Sequence, residues 1–194
     1  LLPSYRGSTP IPAAILNGDD QTGVSIIKLV RRMDAGPVVD QVDVTLDGSE
    51  TTGMLSEQLA TIAGERLPKV IFDWVSGAIE PVEQDEAAAT YTRELRKADG
   101  QIDWRWPAEY IERFVRAMDP WPGAWTNYNG QRIAIQRVSQ QGESEASHPA
   151  GTLIAGRQDV ELATGDGLLV LDRVQPAGKK PIPATDWIRG FRDE

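Results

Sequence analysis

Residues 22–45 read TGVSIIKLVRRMDAGPVVDQVDVT, two β-like segments joined by a loop that carries the acid Asp34. The segment 22–30 is apolar and rich in β-branched residues, and 38–45 alternates apolar with polar side chains, so both are predicted strands. The Gly-Pro pair behind the acid favours a fixed loop. Because functional groups gather on loops at strand ends, Asp34 is a candidate catalytic carboxylate. An acid before small residues and Gly is also common at hairpin tips, and that reading stays open here.

Helices are predicted on both sides of this segment. Residues 11–17 suit a short helix that stops at Gly18, a common C-terminal signal. Residues 51–75 suit a long amphipathic helix, which Pro68 is expected to kink or split. Its apolar stripe comprises Leu55, Leu59, Ile62, Val70 and Trp74. Two strands and one long helix leave apolar faces uncovered, so residues 1–80 are interpreted as part of a larger α/β domain.

The pattern changes in the second half of the chain. Residues 81–98 are largely acidic and poorly patterned, as expected of a linker, and 99–194 read as a β-rich domain. One helix is predicted at 108–117 and a closing helix at 184–191. Five short strands are predicted at 124–128, 132–138, 151–155, 159–163 and 168–174. So many short strands separated by glycine turns indicate a small barrel.

Composition limits the classes of function. The chain has 194 residues, of which 40% are hydrophobic and 25% charged, within the globular range. Its net charge of −9 argues against broad, nonspecific nucleic-acid binding, which depends on Lys and Arg. It has no cysteine, which excludes disulfides and thiolate metal sites and is compatible with a reducing cytoplasm. No apolar run approaches the roughly 18 residues of a membrane span, and no motif supports a metal.

An ordered set of motifs carries a family resemblance. The chain opens on 1–7 (LLPSYRG) and continues with 22–24 (TGV) and 34–36 (DAG). Further landmarks are Ala89-Thr90-Tyr91, Ile102-Asp103-Trp104, Arg116-Ala117, Pro120-Trp121-Pro122-Gly123 and Gln175-Pro176-Ala177-Gly178-Lys179-Lys180-Pro181. In order and spacing this set resembles the methionyl-tRNA formyltransferase family. The resemblance implies an α/β plus β chain: the C-terminal part of a Rossmann-like formyltransferase domain at 1–80, a linker at 81–98 and an OB-like barrel domain at 99–194.

The resemblance also implies an activity. The family transfers a formyl group from 10-formyltetrahydrofolate to the amino group of initiator methionyl-tRNA, and a monomeric cytoplasmic enzyme is expected. Asp34 matches the catalytic Asp of the family. The matching folate contacts are Leu1, Leu2, Pro3 and Met33. Family members carry an Asn-x-His pair just upstream of Leu-Leu-Pro; this chain starts after that position, so we expect the 194 residues alone to be inactive.

Basic residues suggest where tRNA would be bound. Lys179 and Lys180, in a Pro-Gly turn, are candidates for phosphate contact, with a solvated basic turn as the alternative. Arg113 and Arg116 lie three apart on one helix face. They could extend that patch or only offset Glu109 and Glu112.

Two further side chains have competing interpretations. Arg6 is either a structural link within the opening loop or a group near the charged end of the substrate, and the structural role is favoured. His148, the only histidine, stands in a polar loop far from Asp34 in sequence. It is interpreted as a solvated loop residue and not as a catalytic base, because a base must come within hydrogen-bond reach of its partner.

Two rival functions remain on sequence grounds. A formyltransferase that acts on an amino sugar nucleotide would share the folate-binding half. The chain could instead be a non-catalytic RNA-binding module that uses its barrel. The Gln-Pro-Ala-Gly-Lys-Lys turn favours the tRNA branch over the sugar branch, and the acidic balance disfavours the binding module.

Overall fold

The chain divides into two units in the computed structural model, which describes residues 1–141, 148–156 and 158–190. The units are Leu1–Leu95 and Arg96–Glu194. Part of the predicted linker therefore lies in the first unit. The cause is a short parallel pairing of β1 (Arg6–Gly7) with β4 (Tyr91–Thr92), which draws this segment back to the start of the chain.

The stretch around Asp34 forms the predicted hairpin. Strand β2 (Gln21–Ile27) pairs antiparallel with β3 (Val38–Thr45), three residues short of the strand end predicted at 30. The backbone N–H of Lys28 donates to the carbonyl of Pro37 at 2.9 Å and closes the loop that holds Asp34. Both ends of this loop are therefore held by backbone hydrogen bonds between the two strands.

Two helices complete the first unit. Helix α1 (Pro10–Asn17) ends at Gly18, whose φ of 71° is the left-handed cap that glycine favours. Helix α2 (Thr52–Val75) begins at Thr51, whose hydroxyl accepts from the N–H of Met54. It runs uninterrupted across Pro68, so the predicted split does not occur. Pro68 lies on the exposed side, where water can solvate the carbonyl that loses its helical bond.

The apolar stripe of α2 is buried along only part of its length. Leu55, Leu59 and Val70 are buried, but Trp74, a member of the predicted stripe, is 37% exposed. At 3.6 residues per turn, position 74 lies about 100° around the helix from Leu55, at the edge of the stripe. The helix is also tied to the hairpin by Arg66, whose Nε lies 2.6 Å from the Asp40 carboxylate and, by hydrogen bonding, lowers the pKa of that carboxyl.

Position 36, in the Asp34 loop, has no room for a side chain larger than that of glycine. A Cβ at this position would stand 1.8 Å from the backbone carbonyl of Lys28. We expect Gly36→Ala to destabilise the protein by about 1–3 kcal/mol, the usual cost of overpacking. At Gly64, in the exposed middle of α2, nothing lies within 4 Å of such a Cβ. Gly64→Ala should therefore stabilise by about 0.5–1 kcal/mol. Urea unfolding of both variants measures the two changes in the free energy of unfolding. Equal changes of the same sign would contradict the expected difference between the two positions.

In the part of the chain that the structure describes, the second unit consists of a β-sheet and two α-helices, one before the first strand of the sheet in sequence and one after the last. Its helices are α3 (Ala108–Ala117) and the short α4 (Ala184–Arg189). Its strands are β5 (Trp125–Tyr128), β6 (Gln131–Gln141), β7 (Leu153–Ala155), β8 (Val160–Ala163), β9 (Leu168–Pro176) and β10 (Ile182–Pro183). All five predicted strands are present. The predicted helix end at 191 lies outside the described residues.

Strand order in this sheet is β5-β6-β9-β8-β7, with β10 added to β9, and every pairing is antiparallel. The core comprises the fully buried Ile111 of α3 together with Ile133, Val160, Leu169 and Val174 of the sheet. Within the described ranges no pairing joins β5 to β7, so the order is that of an open sheet. No helix in those ranges combines the length and apolar character that a membrane span requires.

A carboxylate in the second unit has a strongly perturbed acidity. Arg105 donates to Asp103 from its side chain (Nε to Oδ1, 2.8 Å) and its backbone N–H (3.0 Å), and these bonds lower the pKa of Asp103 from 3.8 to about 2. A depressed carboxyl pKa means that the pairing stabilises the fold above about pH 4 and that its contribution is lost as the pH falls from 4 towards 2. In Arg105→Ala the pKa of Asp103 should return towards 3.8. NMR titration of the carboxyl measures this, and an unchanged midpoint would contradict it.

Candidate active site around Asp34

A cavity of about 370 Å³ lies in the first unit, and its lining includes the carboxylate of Asp34. Strand β2, both helices and the first residues of the chain contribute the other walls. Leu1, Leu2, Ile11 and Leu59 make the lining largely apolar. An apolar cavity with few fixed polar groups suits a flat organic ligand, and the carboxylate would fix its orientation or take part in chemistry.

The Asp34 backbone adopts a conformation that L-residues rarely use. Its φ is 52°, in the left-handed region, where Asp and Asn are tolerated better than other residues with a Cβ. Its carboxylate Oδ2 accepts a hydrogen bond of 2.7 Å from the N–H of Gly7. With the described residues Oδ1 makes no hydrogen bond, so this oxygen can accept a proton or a donor from a ligand.

Tyr5 is a second residue held in the left-handed region at the same cavity. Its φ is 58°, unusual for a bulky side chain, and its N–H donates to Thr90 Oγ1 at 2.8 Å. Its hydroxyl donates to Asp19 Oδ2 and accepts from Asn17 Nδ2, both at 2.8 Å. Burial raises the pKa of the Tyr5 hydroxyl, and so does the bond to Asp19, whereas the bond from Asn17 lowers it. A strained backbone conformation that is held in place by surrounding contacts is typical of functional sites. No motif in the sequence identified Tyr5 as such a residue.

Gln84 supports the Asp34 loop from behind. Its Nε2 donates to the carbonyls of Asp34 and Gly36 at 2.8 and 2.6 Å. Its Oε1 accepts from Arg6 Nε and Nη2 at 3.1 and 2.9 Å. The sequence analysis placed Gln84 in a linker, because no periodicity or motif in that acidic stretch marks an amide that reaches back fifty residues.

Arg6 is a structural link, the role favoured on sequence grounds. Its side chain is fully buried, and its Nη2 and Nη1 donate to the two oxygens of Glu86 at 3.0 and 3.2 Å. Nη1 also donates to the Tyr91 hydroxyl at 3.1 Å. Arg32, in the Asp34 loop, holds the same Glu86 carboxylate at 2.9 Å. Hydrogen bonding by Arg6, and then by Arg32, lowers the pKa of Glu86, so the link stays ionised at neutral pH.

Two of the four predicted folate contacts line the cavity that contains Asp34, and two do not. Leu1 and Leu2 line the cavity with Asp34, and the N–H of Leu2 donates to Ser25 Oγ at 3.2 Å. Pro3 is outside the lining, and its carbonyl accepts from the N–H of Thr90. Met33 stands next to Asp34 but is 70% exposed and also outside the lining. The structure therefore brings together Leu1, Leu2 and Asp34.

The predicted tRNA contacts and His148 belong to the second unit. Lys179 and Lys180 are exposed in the turn after β9 and form no ion pair with the described residues. Arg113 and Arg116 lie 2.6 Å from Glu109 and Glu112, one turn earlier on α3, so their charges are locally offset. His148 is exposed. Among the described residues no group of three or more acidic or histidine side chains could hold a metal ion.

Comparison with known proteins gives two family matches. The family described as "Formyl transferase" matches residues 1–71, and "Formyl transferase, C-terminal domain" matches residues 94–192. A methionyl-tRNA formyltransferase of Roseiflexus castenholzii is 47% identical over 192 residues. The alignment covers 99% of this chain and 61% of that relative. The chain thus spans about three-fifths of the curated relatives it matches.

Solved structures share the fold. HypX from Aquifex aeolicus has a TM-score of 0.72 and 19% identity, covering 97% of this chain and 34% of its own. An N-formyltransferase from Helicobacter canadensis, solved with folinic acid and dTDP-3-aminofucose, has a TM-score of 0.70 and 17% identity. That alignment covers 90% of this chain and 63% of the Helicobacter protein. At such identities the likeness concerns the fold alone.

Proposed function

Because the chain belongs to the formyl transferase family, we propose that its protein transfers the formyl group of 10-formyltetrahydrofolate to the amino group of initiator methionyl-tRNA. The observation that carries this proposal is the carboxylate of Asp34, held by Gly7 at a largely apolar cavity. We propose that Asp34 is the counterpart of the family's catalytic Asp, as the sequence resemblance implies. The 47% identity to a methionyl-tRNA formyltransferase supports the choice of acceptor.

The chemistry requires a nearby proton acceptor. The amine attacks the formyl carbon, a C–N bond forms, and the bond from that carbon to the folate nitrogen breaks. The proton that the amine loses must pass to the leaving nitrogen, and a positioned carboxylate can relay it. Asp34 is proposed for this relay through Oδ1, since Oδ2 already accepts from Gly7. The family's Asn and His, which the resemblance places ahead of Leu1, are proposed to stabilise the oxyanion and to exchange protons with Asp34.

The folate is proposed to lie against the apolar wall of the cavity. Leu1 and Leu2 would contact the flat pteridine ring, because their side chains already line the space next to Asp34. Pro3 would fix the turn that presents them. Met33, exposed beside Asp34, would cover the ring through its side chain or its backbone.

The second unit is proposed to contact the tRNA. The antiparallel order β5-β6-β9-β8-β7, with its flanking helices, supports an OB-like fold that is open between β5 and β7 among the described residues, and OB-folds commonly bind nucleic acids. Lys179 and Lys180 are the proposed phosphate contacts because they are exposed and carry no offsetting acid in the described part of the chain. Arg113 and Arg116 are proposed as secondary contacts, weakened by their glutamates. A monomeric, cytoplasmic protein accords with this role.

One observation favours a second candidate acceptor. The Helicobacter canadensis protein with the same fold was solved with an amino sugar nucleotide, so an acceptor of that class is compatible with the fold. The identity of 17%, against 47% for the tRNA enzyme, places this candidate second.

Acceptor competition tests the proposal. The complete gene product is assayed with labelled 10-formyltetrahydrofolate and either initiator methionyl-tRNA or a dTDP-amino sugar. We expect kcat/KM to favour the tRNA by at least about 10²-fold, since a site rejects an acceptor that leaves its polar groups unpaired. Equal or greater transfer to the sugar nucleotide would overturn the proposal in favour of the second candidate. The absence of transfer to either acceptor would overturn both.

A further inference from the structure

We infer that Gln84 is a positioning residue of the active site, whose side-chain amide fixes the loop that presents Asp34. The inference rests on the proposed function and deepens it. It adds to the site a residue from the stretch predicted as a linker.

The amide of Gln84 uses its full hydrogen-bonding capacity. A primary amide offers two donors and two acceptor positions. Both donors go to carbonyls of the loop, at Asp34 and Gly36, and both acceptor positions go to Arg6. Because a guanidinium only donates and a carbonyl only accepts, the orientation of the amide is determined by its partners.

The anchor behind Gln84 is rigid. The Arg6 guanidinium is fully buried, and its remaining donors go to Glu86 and Tyr91. Gln84 therefore joins a fixed group on one side to the loop on the other. Arg32 reaches Glu86 from the same loop, but its side chain is 66% exposed, whereas Gln84 is half-buried and bonds directly to the buried Arg6 guanidinium.

The loop needs such a support at Asp34. A φ of 52° is unfavourable for a residue with a Cβ and persists only when its surroundings over-determine it. Gly7 holds the carboxylate through a single bond, and Gln84 holds the backbone carbonyls on either side of Ala35. Without Gln84 the backbone can relax and the carboxylate moves. Misplacement of a catalytic group by about 1 Å costs on the order of 10²-fold in rate.

Two substitutions in the complete gene product test this role. Gln84→Met keeps the length of the side chain and removes both donors, and Gln84→Glu keeps the acceptors for Arg6 but sets a carboxylate against two carbonyls. Glu83→Gln, at the exposed neighbouring residue, is the matched control. We expect kcat to fall by about 10- to 100-fold in both Gln84 variants, with each KM within about threefold of the wild type.

The acid variant adds a pH signature. A protonated carboxylic acid donates one hydrogen bond, so Gln84→Glu should regain part of its kcat, relative to the wild type, as the pH is lowered. Gln84→Met has no ionisable group and should show no such recovery. A purely structural role would lower the amount of folded protein and would leave kcat per folded molecule unchanged.

Hydrogen exchange gives a readout that does not depend on activity. Exchange at residues 28–37 and at the Gly7 amide should quicken about tenfold in Gln84→Met and stay unchanged in Glu83→Gln. Unchanged exchange in Gln84→Met, a kcat within threefold of the wild type, or failure of both Gln84 variants to fold would overturn the inference. If the wild type does not formylate methionyl-tRNA but the exchange result holds, the proposed function fails and the support of the loop by Gln84 stands.

Discussion

Asp34→Asn should lower kcat for formyl transfer by about 10²- to 10⁴-fold, the range that proton transfer by a positioned side chain contributes. Asn tolerates the left-handed backbone at this position, and its Oδ1 can still accept from the N–H of Gly7. The substitution therefore removes the charge and the basicity of the side chain while the loop keeps its geometry. Steady-state assays of the complete gene product with methionyl-tRNA measure the effect.

The matched control lies on the same hairpin. Asp43→Asn, on the exposed side of β3, also removes one carboxylate charge, and its kcat should stay within about twofold of the wild type. If Asp34→Asn kept its kcat within about threefold of the wild type, the relay assigned to Asp34 would be wrong. The carboxylate would then be a hairpin-loop residue that only caps the amide of Gly7.

Charge reversal at Lys179 and Lys180 should weaken tRNA binding by roughly 10- to 100-fold at low salt. Each lost phosphate contact also removes about one unit from the slope of log K against log salt concentration. We therefore expect the double Glu variant to show a higher KM for tRNA, a shallower salt dependence and a nearly unchanged kcat. Filter binding and kinetics between 50 and 200 mM salt separate these effects.

A control for net charge is available elsewhere in the chain. Lys69 and Arg189 are paired with Asp73 and Asp186 on their own helices. Reversing both changes the net charge by the same amount but removes cations that are already offset. If this control weakened tRNA binding as much as the lysine double variant, the effect would be one of overall charge. The assignment of a local contact at Lys179 and Lys180 would then be wrong.

The local elements of this protein follow from short-range patterns. The β-branched run before Asp34 and the alternation after it predict the two strands of the hairpin, and Gly18 predicts the end of α1. The amphipathic stripe predicts α2. These predictions succeed because hydrogen bonds and side-chain periodicity within an element act over a few residues.

Predictions that depended on what surrounds an element were less accurate. Trp74 belongs to the apolar stripe, yet it lies at the edge of the buried face and is partly exposed. The sequence predicts a kink or split at Pro68, but α2 runs through it, and the carbonyl that loses its helical bond lies on the exposed side, where water can solvate it. The residues 81–95 look like a linker because their composition is acidic and unpatterned, whereas several of them form hydrogen bonds with the opening loop.

The candidate site shows the same division. Asp34, with Leu1 and Leu2, could be named from sequence because the ordered motifs of a family mark them, and the family matches bear out that membership. Gln84 and the link from Arg6 to Glu86 could not, because their contacts join residues 48 to 80 positions apart and depend on partners rather than on periodicity. Local patterning determines which acid is presented and on which loop. Long-range hydrogen bonds, formed only once the chain has folded back on itself, decide how that acid is held.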